Sequence, residues 1–424
     1  MGKLLIISLF FFVTGFINAQ ESAPDQVIQL SLKDAEQIFI ERNLELIAER
    51  YDIDMAQAQV LQAKLFENPV ISLEQNIYNR LNGKYFDVGK EGEAGVEIEQ
   101  VINLAGQRNK RVCLEKINKE IAEYQFEEVV RTLRSDLNEK FVEIYFSNKS
   151  LAIYNKEIES LSELLQSAKE QQSKGNISLL ERARMEALLL SLRKERTEVE
   201  NVLQSMRAEL NLLLNLPVNQ PVEPVLDDRV LKQIDLSVIP FSEMSSRIGT
   251  RPDLKMAHAG VNASRANLKL QRSMAAPEFS VKGIYDRAGN FINNYFALGV
   301  SLSIPIFNRN QGNIKSAKFE ILKSNKLEEY SLDKAHAELY AAYNQLQKTL
   351  ELYRSVDDEL EHSFESLIVG ANENFRKRNI SMLEFIDYYD SYKEACLQLY
   401  ETKKNVFLAM ENLNTTIGQN IFNY

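Results

Sequence analysis

The segment Gly175-Asn176-Ile177-Ser178-Leu179-Leu180-Glu181 returns 203 residues later as Arg378-Asn379-Ile380-Ser381-Met382-Leu383-Glu384. At the same offset, Asn211-Leu212-Leu213-Leu214-Asn215 corresponds to Asn414-Thr415-Thr416-Ile417-Gly418. Ala94-Gly95-Val96-Glu97-Ile98 matches Leu298-Gly299-Val300-Ser301-Leu302 at 204, and Arg42-Asn43-Leu44-Glu45-Leu46 matches Arg251-Pro252-Asp253-Leu254-Lys255 at 209. Matches that keep their order along the chain mark one structural unit written twice. The offset drifts mainly between the two strands of each half, where a loop changes length at little cost.

Each copy reads as a helix, two strands, a very long helix, a tight turn and a return helix. The first repeat covers 20–216, with strands near 70–79 and 95–103, a long helix over 106–173 and a return helix over 179–216. The second covers 240–424, with strands near 278–286 and 295–305, a long helix over 311–376 and a return over 381–417. A proline-rich linker, 217–239, joins them. In the first long helix, apolar residues recur in steps of three and four through Val130, Leu133, Leu137, Phe141 and Ile144, and on through Tyr154, Ile158, Leu161 and Leu165. That is a coiled-coil seam. At 1.5 Å per residue such a helix is roughly 100 Å long.

In the four short segments the hydrophobic period drops from about 3.6 to 2. Phe296-Ala297-Leu298-Gly299-Val300-Ser301-Leu302-Ser303-Ile304 is large and apolar at every even position, small or polar at every odd one. Strands of this length cross a bilayer when tilted. Tyr78, Tyr85, Phe86, Phe291 and Tyr295 stand near the strand ends, where an interfacial aromatic girdle belongs. Four strands cannot close into a barrel alone, and open edges are forbidden in lipid. Several chains must therefore share one barrel: two would give a filled lumen, three a conduit. The competing reading is a soluble four-stranded sheet on a helical stalk.

Lys3, the apolar run from Leu4 to Val13, and Ala19 before Gln20-Glu21-Ser22 read as a secretory signal peptide, 1–19. Its removal takes one lysine and no acid, so the formal net charge of −10 becomes −11. That balance argues against nucleic acid as a partner. Cys113 and Cys396 lie in helical patterns and read as buried thiols, too few for a disulfide framework. His258, His336 and His362 have no metal-ligand spacing, and no phosphate loop or nucleophile elbow is present. No catalytic, cofactor or metal residue is expected.

Ser303-Ile304-Pro305-Ile306-Phe307-Asn308-Arg309-Asn310-Gln311-Gly312-Asn313-Ile314 resembles the strand-to-helix entry of the TolC-like outer membrane efflux family. Gln100-Val101-Ile102-Asn103-Leu104-Ala105-Gly106-Gln107-Arg108 is similar to the matching segment of that family's first repeat, and Asn379–Asp387 resembles its periplasmic hairpin tip. The wording Asn-Ile-Ser-x-Leu-Glu looks most like the branch serving heavy-metal and cation pumps; drug, peptide or protein export is the alternative cargo. The resemblance implies an α+β membrane protein: a homotrimer with a 12-stranded β-barrel in outer-membrane lipid and a periplasmic α-barrel. It further implies docking to a periplasmic adaptor (membrane fusion) protein and an RND-type inner-membrane pump, with no enzymatic step and no cofactor. The docking tips would be Gly175, Asn176, Ile177 and Ser178 with Asn379, Ile380 and Ser381. Glu384 and Asp387 would form rings of carboxylates gating the pore, with Glu181 or Arg184 of an adjacent hairpin as partners. A structural or adaptor-type periplasmic coiled-coil protein is the rival from another class.

Overall fold

The computed structural model describes residues 27–236, 240–288, 292–356 and 360–422. The signal peptide and Phe291 lie outside them. The first half runs β1 (Ile28–Ser31), α1 (Leu32–Arg42), α2 (Leu44–Lys64), β2 (Val70–Gln75), the short pair β3 (Tyr78–Asn79) and β4 (Lys84–Tyr85), β5 (Ala94–Ile102), α3 (Gln107–Ser173) and α4 (Leu179–Leu213). Then come β6 (Val222–Val225), α5 (Phe241–Arg247), α6 (Pro252–Ser273), β7 (Glu278–Ala288), β8 (Asn293–Ser303), α7 (Gln311–Arg354), α8 (Leu360–Arg376) and α9 (Met382–Ile417).

Strands β2, β5, β7 and β8 form one antiparallel sheet in that order, so β2 and β8 are its open edges. Register aligns Leu73, Val96, Tyr285 and Phe296 in one row, and Ile71, Ile98, Gly283 and Leu298 in the next, all on one face. Val281 with Val300, and Phe279 with Leu302, continue that face. The other face carries Ser72, Glu97, Ile284 and Ala297, then Val70, Glu99, Lys282 and Gly299, then Val101, Ser280 and Ser301. Lys282 Nζ lies 2.9 Å from Glu97 and 3.2 Å from Glu99. The ion triad is on the polar side; Leu298 is 88 % exposed and Val300 74 % exposed on the apolar side. This is the inverse of a water-soluble sheet, which hides its apolar face.

Both long helices are entered through left-handed residues, Ala105 and Gly106 before α3 and Asn310 before α7, which turn the chain sharply from strand into helix. α3 is 67 residues without a break and packs against α2, α4, α6 and α9. One apolar core gathers Phe39, Leu137, Phe141, Leu210, Leu339 and Phe407; a second, nearer the turns, gathers Leu161, Leu165, Met185, Leu192 and Phe385.

Several sequence expectations need correction. The first helix is interrupted at Asn43, whose side-chain oxygen caps α2 by accepting from Leu46 N–H at 2.9 Å while its amide donates to the Leu213 carbonyl. The second long helix does not run through 311–376: α7 ends at Arg354, with the Ser355 amide returning to the Glu351 carbonyl and the Arg354 guanidinium donating to the Ile234 carbonyl. The linker is not a bare crossing. Its β6 pairs in parallel with β1, Leu30 opposite Pro224, and a 3-10 turn follows at Asp228–Gln233.

Cys396 is buried as expected, but Cys113 is exposed. Cys113 lies some 60 residues from the end of α3, roughly 90 Å along the helix axis, whereas Cys396 lies near the turns, roughly 20 Å from its helix start. A disulfide needs Cα atoms within about 7 Å. A maleimide is expected to label Cys113 and spare Cys396 in the native protein. Mass spectrometry should find no linked peptide containing both; finding one would contradict the helical layout.

Candidate functional site

The two hairpin turns are built alike. After α3, Gly175 (φ 76°) takes the left-handed position, its N–H bonding the Gln172 carbonyl and the Asn176 N–H the Gln171 carbonyl. After α8, Arg378 (φ 61°) does the same, with its N–H on Phe375 and that of Asn379 on Asn374. These are Schellman closures, and they satisfy carbonyls that a helix end leaves unpaired. Arginine in this conformation costs about 1–2 kcal/mol. Its side chain offsets part of that by donating to the Asn176 carbonyl at 2.8 Å, tying one turn to the other.

Each return helix then starts with a capping box. Ser178 and Ser381 accept from the N–H groups of Glu181 and Glu384, and those carboxylates accept the serine N–H groups at 2.8 and 2.7 Å. Ionised carboxylates suit this place, at the positive end of a helix. Both carboxyls are held below the usual glutamate range, chiefly by the serine backbone N–H; the Arg378 and Arg184 charges add to this for Glu181.

The structure therefore distributes the expected gate residues unevenly. Glu181 lines a cavity of about 500 Å³ between the turns, together with Asn176, Ile177, Arg378, Ile380 and Ser381. Asp387 and Arg184 are exposed, Asp387 standing one turn beyond the capping Glu384. Sequence reasoning missed Arg378 and the caps. The spacing Ser-x-x-Glu, present in both turns, is the signal that could have exposed the capping role of the two glutamates. Among the described residues, no group of three or more His, Cys, Asp or Glu is arranged to hold a metal.

A shaft of paired long helices thus carries twin capped turns at one end and an inside-out sheet at the other. The chain belongs to the outer membrane efflux protein family, whose pattern matches residues 37–216 and 245–367. Its place is the outer membrane, with extension into the periplasm. The cobalt-zinc-cadmium resistance protein CzcC of Cupriavidus metallidurans is 20 % identical over 397 residues, covering 92 % of this chain and 90 % of that one. The pyoverdine export outer membrane protein OpmQ of Pseudomonas aeruginosa is 23 % identical over 327 residues, 75 % of this chain and 65 % of that one. Among solved structures, CusC aligns at 18 % identity with a TM-score of 0.75 over 92 % of each chain, a likeness of fold.

Proposed function

We propose that three copies of this chain assemble into one passive exit duct, a twelve-stranded barrel in the outer membrane continued by a twelve-helix tunnel in the periplasm. The observation that carries this is the sheet: two open edges, an exposed apolar face and a charged opposite face. Among the described residues no helix is long and apolar enough to cross a membrane. Lipid tolerates the sheet only if edge β2 of one copy pairs with edge β8 of the next until the ring closes.

In this reading the duct receives cargo from an RND-type inner-membrane pump through a periplasmic adaptor that docks on Gly175–Ser178 and Asn379–Ser381. Heavy-metal cations are the proposed cargo, supported by the likeness to CzcC along nearly the whole chain. The likeness to OpmQ favours a second reading, export of an organic product. Asp387 is the proposed gate carboxylate. Glu384 contributes less, because its carboxylate is already engaged in a helix cap.

Purified protein in mild detergent is expected to be trimeric and to conduct in planar bilayers with a preference for cations. Asp387→Ala should raise conductance and weaken that preference, as removal of a charged ring does, and Glu384→Ala should do so less. Unchanged traces from both variants would sink the gate, and a monodisperse monomer would sink the duct.

A further inference from the structure

Glu157 of α3 places a carboxylate where a coiled-coil seam wants hydrocarbon. It is 2 % exposed, and its Oε1 has no hydrogen-bond partner. The cation whose charge reaches it is Lys393 of α9, itself buried, whose Nζ lies 3.0 Å from Glu195 of α4 and 3.7 Å from Asp390 on its own helix. The Tyr154 hydroxyl also bonds Glu195. From α8 come Asn372, which is neutral and joins Ser160 to Tyr389, and Arg376, whose charge reaches Tyr389. Three carboxylates thus share one ammonium, and two already hold it. Glu157 is the surplus one.

We propose that Glu157 is a proton-operated latch between the two helical hairpins: protonated, it lets α3, α4 and α9 pack closed, and ionised, it drives them apart. Its carboxyl is raised to about 8, chiefly by burial, with Lys393 opposing and Asp390 and Glu195 adding to the rise. In a hydrated, opened arrangement the same group would titrate near its ordinary 4.5. The folded value is raised, so the packed state binds a proton that the opened state has released throughout that window. Each unit of pH rise inside it favours opening by up to about tenfold. Below the window nothing more is gained, and above about 8 nothing more is lost. The inference deepens the duct reading and rests on it for what an opened tip would mean; the latch itself needs only the packing of this chain.

The test is amide hydrogen exchange on the full-length protein in detergent, corrected for the intrinsic pH dependence of exchange. Peptides covering 150–165 and 385–397 are expected to exchange about tenfold or more faster at about pH 9 than at about pH 6. Glu157→Gln, neutral and of the same shape, should abolish the difference. Glu195→Gln should free Lys393 to pair with Glu157 and move the rise to lower pH. A wild type without the rise, or a Glu157→Gln variant that keeps it, overturns the proposal. Conductance measured on the same samples separates the two ideas. A conducting trimer with Glu157-independent exchange loses the latch and keeps the duct; Glu157-dependent exchange in a protein that does not conduct loses the duct and keeps the latch.

Discussion

Val300→Arg is expected to abolish insertion and assembly, while the same change one residue on, Ser301→Arg, leaves most of the protein trimeric. Val300 stands near the middle of β8, on the face shared by Phe296, Leu298 and Leu302 and opposite Val281. In the proposed barrel that face meets hydrocarbon. Arginine near the bilayer midplane costs about 2–4 kcal/mol, and a trimer carries the penalty three times over. Ser301 lies on the opposite face beside Ser280, near the ion triad of Lys282, Glu97 and Glu99. There an added cation meets water and two carboxylates. The outer-membrane fraction and the heat-modifiable trimer band on an unheated gel measure both variants. Equal yields from the two would mean that the sheet never enters lipid, and a loss confined to Ser301→Arg would mean that the faces are assigned the wrong way round.

Arg251→Ala should lower stability by about 3–5 kcal/mol, the range for breaking a buried ion pair from one side. Arg251 is 3 % exposed and sits where α6, α7 and α9 converge. Its guanidinium grips Asp253 with two nitrogens, at 2.9 and 2.7 Å, reaches Glu338 at 2.9 Å, and donates to the Thr416 carbonyl at the end of α9. Removing it strands the part-buried Asp253 carboxylate and a helix-end carbonyl at once, while Glu338 keeps Lys334 at 3.7 Å. Arg251→Lys keeps the charge but not the fork, and should fall between. Burial alone would raise the Asp253 carboxyl, but its bonds to Arg251 bring it below the ordinary 3.8. The ion pair's contribution is therefore complete above that value and fades as pH falls through the lowered one. Urea unfolding at neutral and acid pH should show the Arg251→Ala deficit in full at the first and diminished at the second. A deficit under about 1 kcal/mol at neutral pH, typical of a surface pair, would refute the anchoring role.

Most of the sheet and the first long helix were legible because each rests on local periodicity, whereas the strand expected over 70–79 stops at Gln75 and the second long helix at Arg354. The change of hydrophobic period placed β7 and β8 within about two residues of their ends. The β1–β6 pair was not legible. Four residues give little pattern, the partners lie nearly two hundred positions apart, and Pro224 reads as a breaker although an edge strand tolerates it. Charge inside the helical bundle was equally hidden. The seam was read through Tyr154, Ile158 and Leu161, whereas the fold buries Glu157 and leaves Ile158 half covered. A single glutamate among many on a polar helix carries no mark of burial; only the neighbouring helices reveal it. The tip carboxylates are a different case, because Ser-x-x-Glu satisfies a cap and a charged ring with the same letters.

The order of strands in the sheet has a consequence for inheritance. In the proposed ring each chain offers β2 to one neighbour and β8 to the other, so every contact joins two different surfaces and none is self-complementary. A subunit defective at one edge can still recruit through its sound edge, and it then stalls the ring it has joined. Lesions on β8 should therefore be dominant over a normal copy of the gene, whereas lesions that unfold the whole chain should be recessive.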